Sequence, residues 1–425
     1  MTHVRTLLRG AMRYTMKNSN AQPRLPLPKS LWILSGISLF ADLAGEMTYP
    51  LLPMFVIGVL GASPVALGLI EGVAEAIVSI VRGLAGYHSD SSGHRVRWVR
   101  RGYGFACIGK AIIAIAGGWG MVFSGRLLDR IGKGIRSAPR DALIAESVPE
   151  SDRGRAFGFH RGIDSYGGVA GSLIAAGIIA WSIGSRPAVP EDGFQFRIIF
   201  ACAAVAALTA WALTFLIPRT HPDKVLARRE AHATARHKSF GRAFWIAIVA
   251  LVLFSLGNSS DTFLLLRALE LGSTPVESIL MYATLSATYA IASYPMGLLS
   301  DRFGRWHVLA TGWVLYAISY ASFALVSAET RVGLWGIFAI YGVSVACIEG
   351  TARALIVDCA PKERLATALG IFGFLQGISL LIASLFAGWL WSTGNAQVVF
   401  WIGALFAAIA LGILPWLPRL ELRSS

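Results

Sequence analysis

WGMVFSGRLLDRIGKGIRSAPRDALIAES, from Trp119 to Ser147, is long enough to cross a bilayer yet carries seven charged side chains. They are Arg126, Asp129, Arg130, Lys133, Arg136, Arg140 and Asp141. Wound as a helix at about 100° per residue, all seven fall within an arc of roughly 140°. Leu127, Leu128, Ile131, Ile135 and Ala138 occupy the opposite side. A charge at the bilayer centre costs at least about 2.5–3.5 kcal/mol, so such groups face a partner or a hydrated cavity. The segment therefore reads as a membrane helix lining a polar interior, which points towards solute movement.

The surrounding chain fits that setting. Of 425 residues, 55% are hydrophobic and 15% charged, against about 25% charged in soluble proteins. Mean hydropathy is +0.59. Hydropathy gives twelve candidate spans, near 30–57, 64–86, 98–117, 119–147, 153–183, 196–217, 242–268, 275–297, 306–327, 331–358, 363–391 and 395–417. With the first residue inside, the outer loops hold only Arg186, Arg267 and Arg331 of the 38 Lys and Arg. This is the positive-inside pattern and puts both termini in the cytoplasm. The net charge of +14 then reflects topology and calls for no nucleic acid; the lipid bilayer, with its anionic leaflet, is the expected partner. Cys107, Cys202, Cys347 and Cys359 form no CxxC or Cys/His cluster, so neither a metal site nor a disulfide framework is expected. Arg5, Arg9, Arg13 and Lys17 mark a basic stretch without a strong apolar face, read as a solvated tail. No cleavable signal peptide is expected, since no short apolar core follows Arg5.

The chain also repeats. At an offset of 211, Gly61 maps to Gly272, Pro64 to Pro275, Gly86 to Gly297, Asp90 to Asp301 and Gly93 to Gly304. At 212, Glu146 meets Asp358, Pro149 meets Pro361 and Gly158 meets Gly370. Six spans followed by six in the same orientation is a parallel repeat about an axis along the membrane normal. The expected organisation is an all-α integral membrane protein: a basic tail (1–29), a six-helix bundle (30–217), a cytoplasmic linker (218–241), a second six-helix bundle (242–417) and a tail (418–425). The linker carries seven Lys/Arg and three His between Arg219 and Arg242 and reads as solvated.

The repeated element Gly86-x3-Asp90-x2-Gly93 and its fuller copy, Gly297, Asp301, Arg302, Gly304 and Arg305, resembles the loop signature of the major facilitator superfamily between spans 2–3 and 8–9. The first copy has Ser91 where the signature has a basic residue. Arg130-x2-Lys133-Gly134 resembles the family's fourth-span motif. Gly167-x3-Gly171 resembles the fifth-span motif of the proton-antiporter branch, with Ser172 in place of its Pro. The resemblance covers Leu31 to Leu417. It implies that spans 1, 4, 7 and 10 line a central cavity, that the loop residues form a cytoplasmic latch between the halves, and that the protein acts as a monomer. Physically, Gly86 and Gly297 let a helix end turn or pack closely; Asp90 and Asp301 attract a helix N-terminus; Arg302 and Arg305 can pair with acids at the rim.

The remaining intramembrane charges define the candidate site. Asp42 and Glu46 lie one turn apart in span 1, and Glu71 and Glu75 one turn apart in span 2, followed by Arg82. Pro50 and Pro53 should bend the end of span 1. Asp261 lies with Asn258 in span 7, and Glu349 and Arg353 are one turn apart in span 10. His160, Arg161 and Asp164 fall in span 5; His160 reads as a hydrogen-bonding residue rather than a ligand. Buried ion pairs barely break even energetically, whereas proton relays and solute contacts use such groups. Asp42 and Glu46 are the first candidates for proton coupling.

The sequence reading is a secondary transporter of a small-molecule solute, with no cofactor, driven by a proton gradient in a bacterial-type plasma membrane. No GxxxxGK[ST] phosphate loop is present. Efflux of a small organic molecule is the leading expectation and proton-coupled uptake of an anion the alternative. A membrane enzyme on lipid-linked substrates would not call for a half-chain repeat. A non-transporting receptor would leave the charged helix face dry.

Overall fold

The computed structural model describes residues 26–92, 94–149, 152–183, 193–218, 239–361 and 364–413. Most of the two tails and of the linker read from the sequence therefore lies outside the described residues. Within them the first half contains α1 (Lys29–Thr48), α2 (Pro64–Ser92), α3 (Arg95–Ala114), α4 (Trp119–Ser147), α5 (Arg153–Ile183) and α6 (Phe194–Leu213). The second contains α7 (Arg242–Gly257), α8 (Thr262–Glu270), α9 (Pro275–Phe303), α10 (Arg305–Leu325), α11 (Leu334–Cys359), α12 (Leu365–Ser392) and α13 (Ala396–Ile413). Segments α7 and α8 are one interrupted helix, broken at Asn258–Asp261.

Among the described residues, eight helices are long and apolar enough to cross a membrane on composition alone. Helices α1, α3, α4 and α9 fall outside that set. The clearest cases are α4, with its seven charges, and α3, with Arg95, Arg97, Arg100, Arg101 and Lys110. The polarity of α4 is turned inward, whereas of the α3 charges only Lys110 is buried and Arg97 and Arg101 are exposed. On α4, Arg126, Asp129, Arg130 and Arg136 are buried, while Leu127, Leu128, Ile131, Ile135 and Ala138 are half-buried on the outer side. Exposed apolar residues such as Trp181, Val205, Phe215, Val249, Ile318 and Leu405 cover the outer surface. So extensive an apolar surface suits acyl chains rather than water.

The two halves repeat one packing scheme. In the first, α1 packs on α5 and α6, α4 on α2 and α3, and α3 on α6. In the second, α7 packs on α12 and α13, α11 on α9 and α10, and α10 on α13. One core cluster is centred in each half, with Met47, Phe55 and Phe200 in the first and Trp313, Phe323 and Phe400 in the second, and Ile279 of α9 joins the first. The repeated Gly61 and Gly272 both take positive φ, 63° and 85°, a conformation glycine adopts without strain. Pro50 and Pro53 interrupt the first span as expected. The α-helix stops at Thr48, and a 3-10 turn (Tyr49–Leu51) and a π segment (Met54–Val59) follow.

The halves meet chiefly through α2 with α12 and α5 with α9. The α2–α12 seam is tight from Pro64 to Ser79. A methyl group on Gly388 would strike the Pro64 backbone, one on Gly72 would strike Leu381, and one on Gly377 would lie 3.3 Å from Ser79 Cβ. Small residues of this kind let membrane helices approach closely. Beyond Ser79 the seam opens: a methyl group on Gly83 or Gly370 would meet nothing within 4 Å. At the opposite end Tyr49 bridges the halves, its ring 5.3 Å from that of Tyr282 and its hydroxyl 3.2 Å from Ser260 Oγ. The halves are therefore joined at one end and parted at the end bearing the Gly-Asp loops.

Candidate functional site

The inward flank of α4 forms the site's spine, and its position follows from close backbone packing. A methyl group on Gly109 of α3 would collide with Gly125 and Asp129 of α4, and one on Gly102 would meet Gly132 and Arg136. These contacts fix the rotation of α4. Arg126 makes a forked pair with Glu71, Nε to Oε1 at 2.7 Å and Nη2 to Oε2 at 2.9 Å. Their side chains are 1% and 0% exposed. Arg126 also lies 3.7 Å from Asp129 and above the Tyr49 ring. Lys110, absent from the sequence-based candidates, reaches Asp129 at 3.4 Å. It belonged to a span whose charges otherwise cluster at one end, so it carried no pairing signal of its own.

Along α4 towards the open end, the charges emerge into solvent. Arg130 pairs with Glu75 at 3.4 Å, and the Glu75 side chain is 40% exposed. Arg136 lies over the Tyr103 ring at 4.2 Å. Arg140 donates to Ser38 Oγ at 3.0 Å and pairs with Asp141, whose side chain is 49% exposed. From the second half, Glu349 pairs with Arg353 at 3.1 Å, both over 40% exposed, and accepts from the Tyr289 hydroxyl at 2.5 Å. Arg82 lies within the electrostatic reach of Arg140, Asp141, Glu349 and Arg353, so this group spans both halves. The charged flank thus runs from a sealed end at Arg126–Glu71 to a wet end between the halves.

Between these ends lies a small cavity of about 30 Å³, lined by Asp42, Glu46, Lys110, Asp129, Lys133 and Arg136 among others, enough for a water molecule. Lys133 sits among Arg130, Asp42, Glu75 and Arg136. Asp42 lies near Asp164 of α5 and Glu46 near Tyr282 of α9, while Glu46 Oε2 and Asp164 Oδ1 are buried without a hydrogen-bond partner. Asp261 accepts from the Tyr341 hydroxyl at 2.6 Å. His160 is buried beside Ser35 Oγ at 3.3 Å and Ser38 Oγ at 3.4 Å, matching a hydrogen-bonding role. In the first half Asp42, Glu46, Glu71, Glu75, Asp129, Asp141 and Asp164 stand against Arg82, Lys110, Arg126, Arg130, Lys133, Arg136 and Arg140. The cationic excess of α4 is cancelled when all are ionised.

The loop residues form local clamps with the halves parted at this end, the arrangement in which a latch across the halves would be released. Arg305 pairs with both Asp301 and Asp358, all in the second half. In the first half Arg95 pairs with Glu146. Each pair ties the start of one helix to the end of the next, and the acids are the repeated Glu146 and Asp358. With the halves parted here, the carboxylates paired with Arg95 and Arg305 among the described contacts belong to their own halves. Arg302 lies over Phe303. Gly304, at φ 94°, separates α9 from α10. Gly86 approaches Ala138, whereas Gly297 lies inside α9 and meets nothing within 4 Å, so that neither the turn nor the close approach expected of it falls at this position. Gly93 and the Asp90 side chain lie outside the described residues.

A family model described as Major Facilitator Superfamily matches residues 34–266 and 262–424. The chain belongs to the major facilitator superfamily. An uncharacterised MFS-type transporter of Methanocaldococcus jannaschii is 32% identical over 95% of this chain and 98% of its own length. An uncharacterised protein of Mycobacterium bovis is 25% identical over 94% of this chain and 95% of its own. Among solved structures, a nucleoside transporter aligns with a TM-score of 0.73 at 12% identity, covering 92% of this chain and all of that one. A D-xylose–proton symporter aligns at 0.70 and 17% identity, covering 91% and 96%. Identities this low speak for the shared fold alone. Membership in this family makes the protein a multi-pass membrane transporter.

Proposed function

We propose that this member of the superfamily is a monomeric, twelve-span, proton-coupled carrier that exports a small neutral or cationic organic molecule. It works by alternating access in a plasma membrane with both termini cytoplasmic. The observation that carries this reading is the graded charged flank between the halves. It is sealed at Arg126–Glu71 and exposed at Asp141, Glu349 and Arg353. Such a flank borders a hydrated path that is closed at one end, as alternating access requires. On the positive-inside orientation the exposed end faces the cytoplasm, where an exported solute would enter.

Proton coupling is supported by Asp42 and Glu46, which lie in the cavity without a salt bridge among the described contacts, and by the absence of a phosphate-binding loop in the sequence. Export rests on the fifth-span motif, whose Gly167 and Gly171 pack directly on the α1 backbone at Leu39 and Leu43. Charge cancellation in the first half argues against a fixed anion site and so against the alternative of anion uptake. The test is flux in proteoliposomes of defined orientation under an imposed pH gradient, with ethidium, labelled neutral organics and labelled carboxylates as probes. Gradient-driven movement of ethidium or a neutral solute against protons is expected. Accumulation of a carboxylate together with protons would overturn the direction and the solute class.

A further inference from the structure

We propose that α3 holds an anionic phospholipid at the open end of the molecule, with its phosphate on Arg97 and Arg101 and an acyl chain along Phe105 and Ile108. The inference concerns the lipid-facing side of the first half and holds whichever solute the protein carries.

Helix α3 presents two kinds of charge. Lys110 is buried and reaches Asp129 of α4, whereas Arg97 and Arg101 are exposed. At about 100° per residue both arginines fall within about 80° of Phe105 and Ile108, which are 38% and 54% exposed. One outward face is therefore cationic near the start of the helix and apolar beyond it. Helix α6 packs alongside. Just past its end, the Phe215 ring lies 4.1 Å beneath the Arg100 guanidinium, whose Nε is buried without a hydrogen-bond partner.

The helices that build this face do not neutralise it. Neither α3 nor α6 contains an acid. Arg95 takes Glu146, and no salt bridge among the described residues includes Arg97, Arg100 or Arg101. The dipole of a helix opposes cations at its N-terminus, so α3 gains nothing from them. Helix α10 fills the same place in the second half, with Arg305 as its one Lys or Arg. The arginine patch is thus no requirement of the repeated architecture, and an anion from outside the chain completes it.

Depth selects a lipid as the source of that anion. The run from Arg101 to Ala114 rises about 20 Å, and Trp119, 43% exposed at the far end, marks an interface as membrane aromatics do. A hydrocarbon core of about 30 Å then leaves the Arg101 backbone about 10 Å inside the nearer boundary. The side chain reaches outwards along its apolar stem, and a lipid phosphate, carried on its own acyl chains, comes in to meet it. Two arginines without an acid favour an anionic headgroup over a zwitterionic one, whose amine they repel. Each basic residue near the surface strengthens that attraction about fivefold.

The test is native mass spectrometry of the full-length protein in mild detergent, titrated with dioleoyl phosphatidylglycerol or with phosphatidylcholine of the same chains. One phosphatidylglycerol should be retained about tenfold more tightly than phosphatidylcholine. Arg97→Gln and Arg101→Gln should each weaken it about fivefold and together about 25-fold, while the double lysine variant, which keeps both charges, should retain most of the affinity. Arg242→Gln, at an exposed position opening α7, should leave it unchanged. Equal retention of the two lipids overturns the site. Equal weakening by Arg242→Gln shows diffuse surface charge and overturns it as well. Displacement of the lipid by inorganic phosphate at matching concentration would make this a site for the phosphate group alone and overturn the lipid as its occupant. Thermal melting of each variant reports its folding, and the lysine variant against the unsubstituted protein keeps the comparison decisive if a glutamine variant unfolds.

Discussion

Removing one partner of the Arg126–Glu71 pair should destabilise the protein far more than removing both. The two side chains are joined by a fork of 2.7 and 2.9 Å and are essentially sealed from solvent. Stripping one member from such a pair leaves an uncompensated buried charge and costs about 3–5 kcal/mol, whereas replacing both with apolar groups is often close to neutral. The neighbours make the two single losses unequal. In Glu71→Leu, Arg126 keeps Asp129 at 3.7 Å and the Tyr49 ring at 5.2 Å. In Arg126→Leu, Glu71 retains no basic partner among the described contacts. Glu71→Leu should therefore fall near the lower end, about 3 kcal/mol, and Arg126→Leu near the upper, about 5 kcal/mol. The double variant should lie within about 1 kcal/mol of the unsubstituted protein, giving a large coupling energy in a double-mutant cycle. Reversible unfolding in mixed micelles, followed by tryptophan fluorescence, measures all four proteins. Additive losses, or single losses below about 1 kcal/mol, would show that the pair is wet, and the sealed end of the path would be lost with it.

Asp42→Asn and Glu46→Gln should each abolish flux driven by a pH gradient while exchange of labelled against unlabelled solute persists; unchanged gradient-driven flux in both removes them from coupling. Ser79→Cys with Gly373→Cys should cross-link on mild oxidation, because their Cβ positions lie 3.9 Å apart, inside the disulfide range; no mobility shift on a denaturing gel would refute the α2–α12 seam. Tyr49→Phe loses the hydroxyl contact to Ser260, worth about 0.5–1.5 kcal/mol, and should shift the population about two- to tenfold away from the form sealed at this end, read by spin-label distances across the halves. Gly109→Leu drives a side chain into the α4 backbone and should cost at least about 1–3 kcal/mol; a variant as heat-resistant as the unsubstituted protein would contradict the α3–α4 packing.

Helix rotation was legible from the residues alone, because lipid allows only one answer for a helix with seven charges on one flank. The repeated Gly61/Gly272 pair announced matching turns, and both take positive φ. Local pairs one turn apart, such as Glu349 and Arg353, were also readable, since helical spacing alone brings them together. The repeat contained a further signal that went unused: Glu146 and Asp358 match at an offset of 212, and these are the acids held by Arg95 and Arg305.

The sequence by itself determined that this protein crosses the membrane repeatedly, that it is built from two equivalent halves, and that ionised groups face inward, for the cost of charge in hydrocarbon leaves no alternative. Only the tertiary structure decided which acid meets which base. Lys110 reaches Asp129, and α5 lies directly on α1 at Leu39 and Leu43, because glycines at 109, 125, 167 and 171 let particular helices touch at particular heights. Partners on different helices are set by crossing geometry, to which spacing along a single helix is blind.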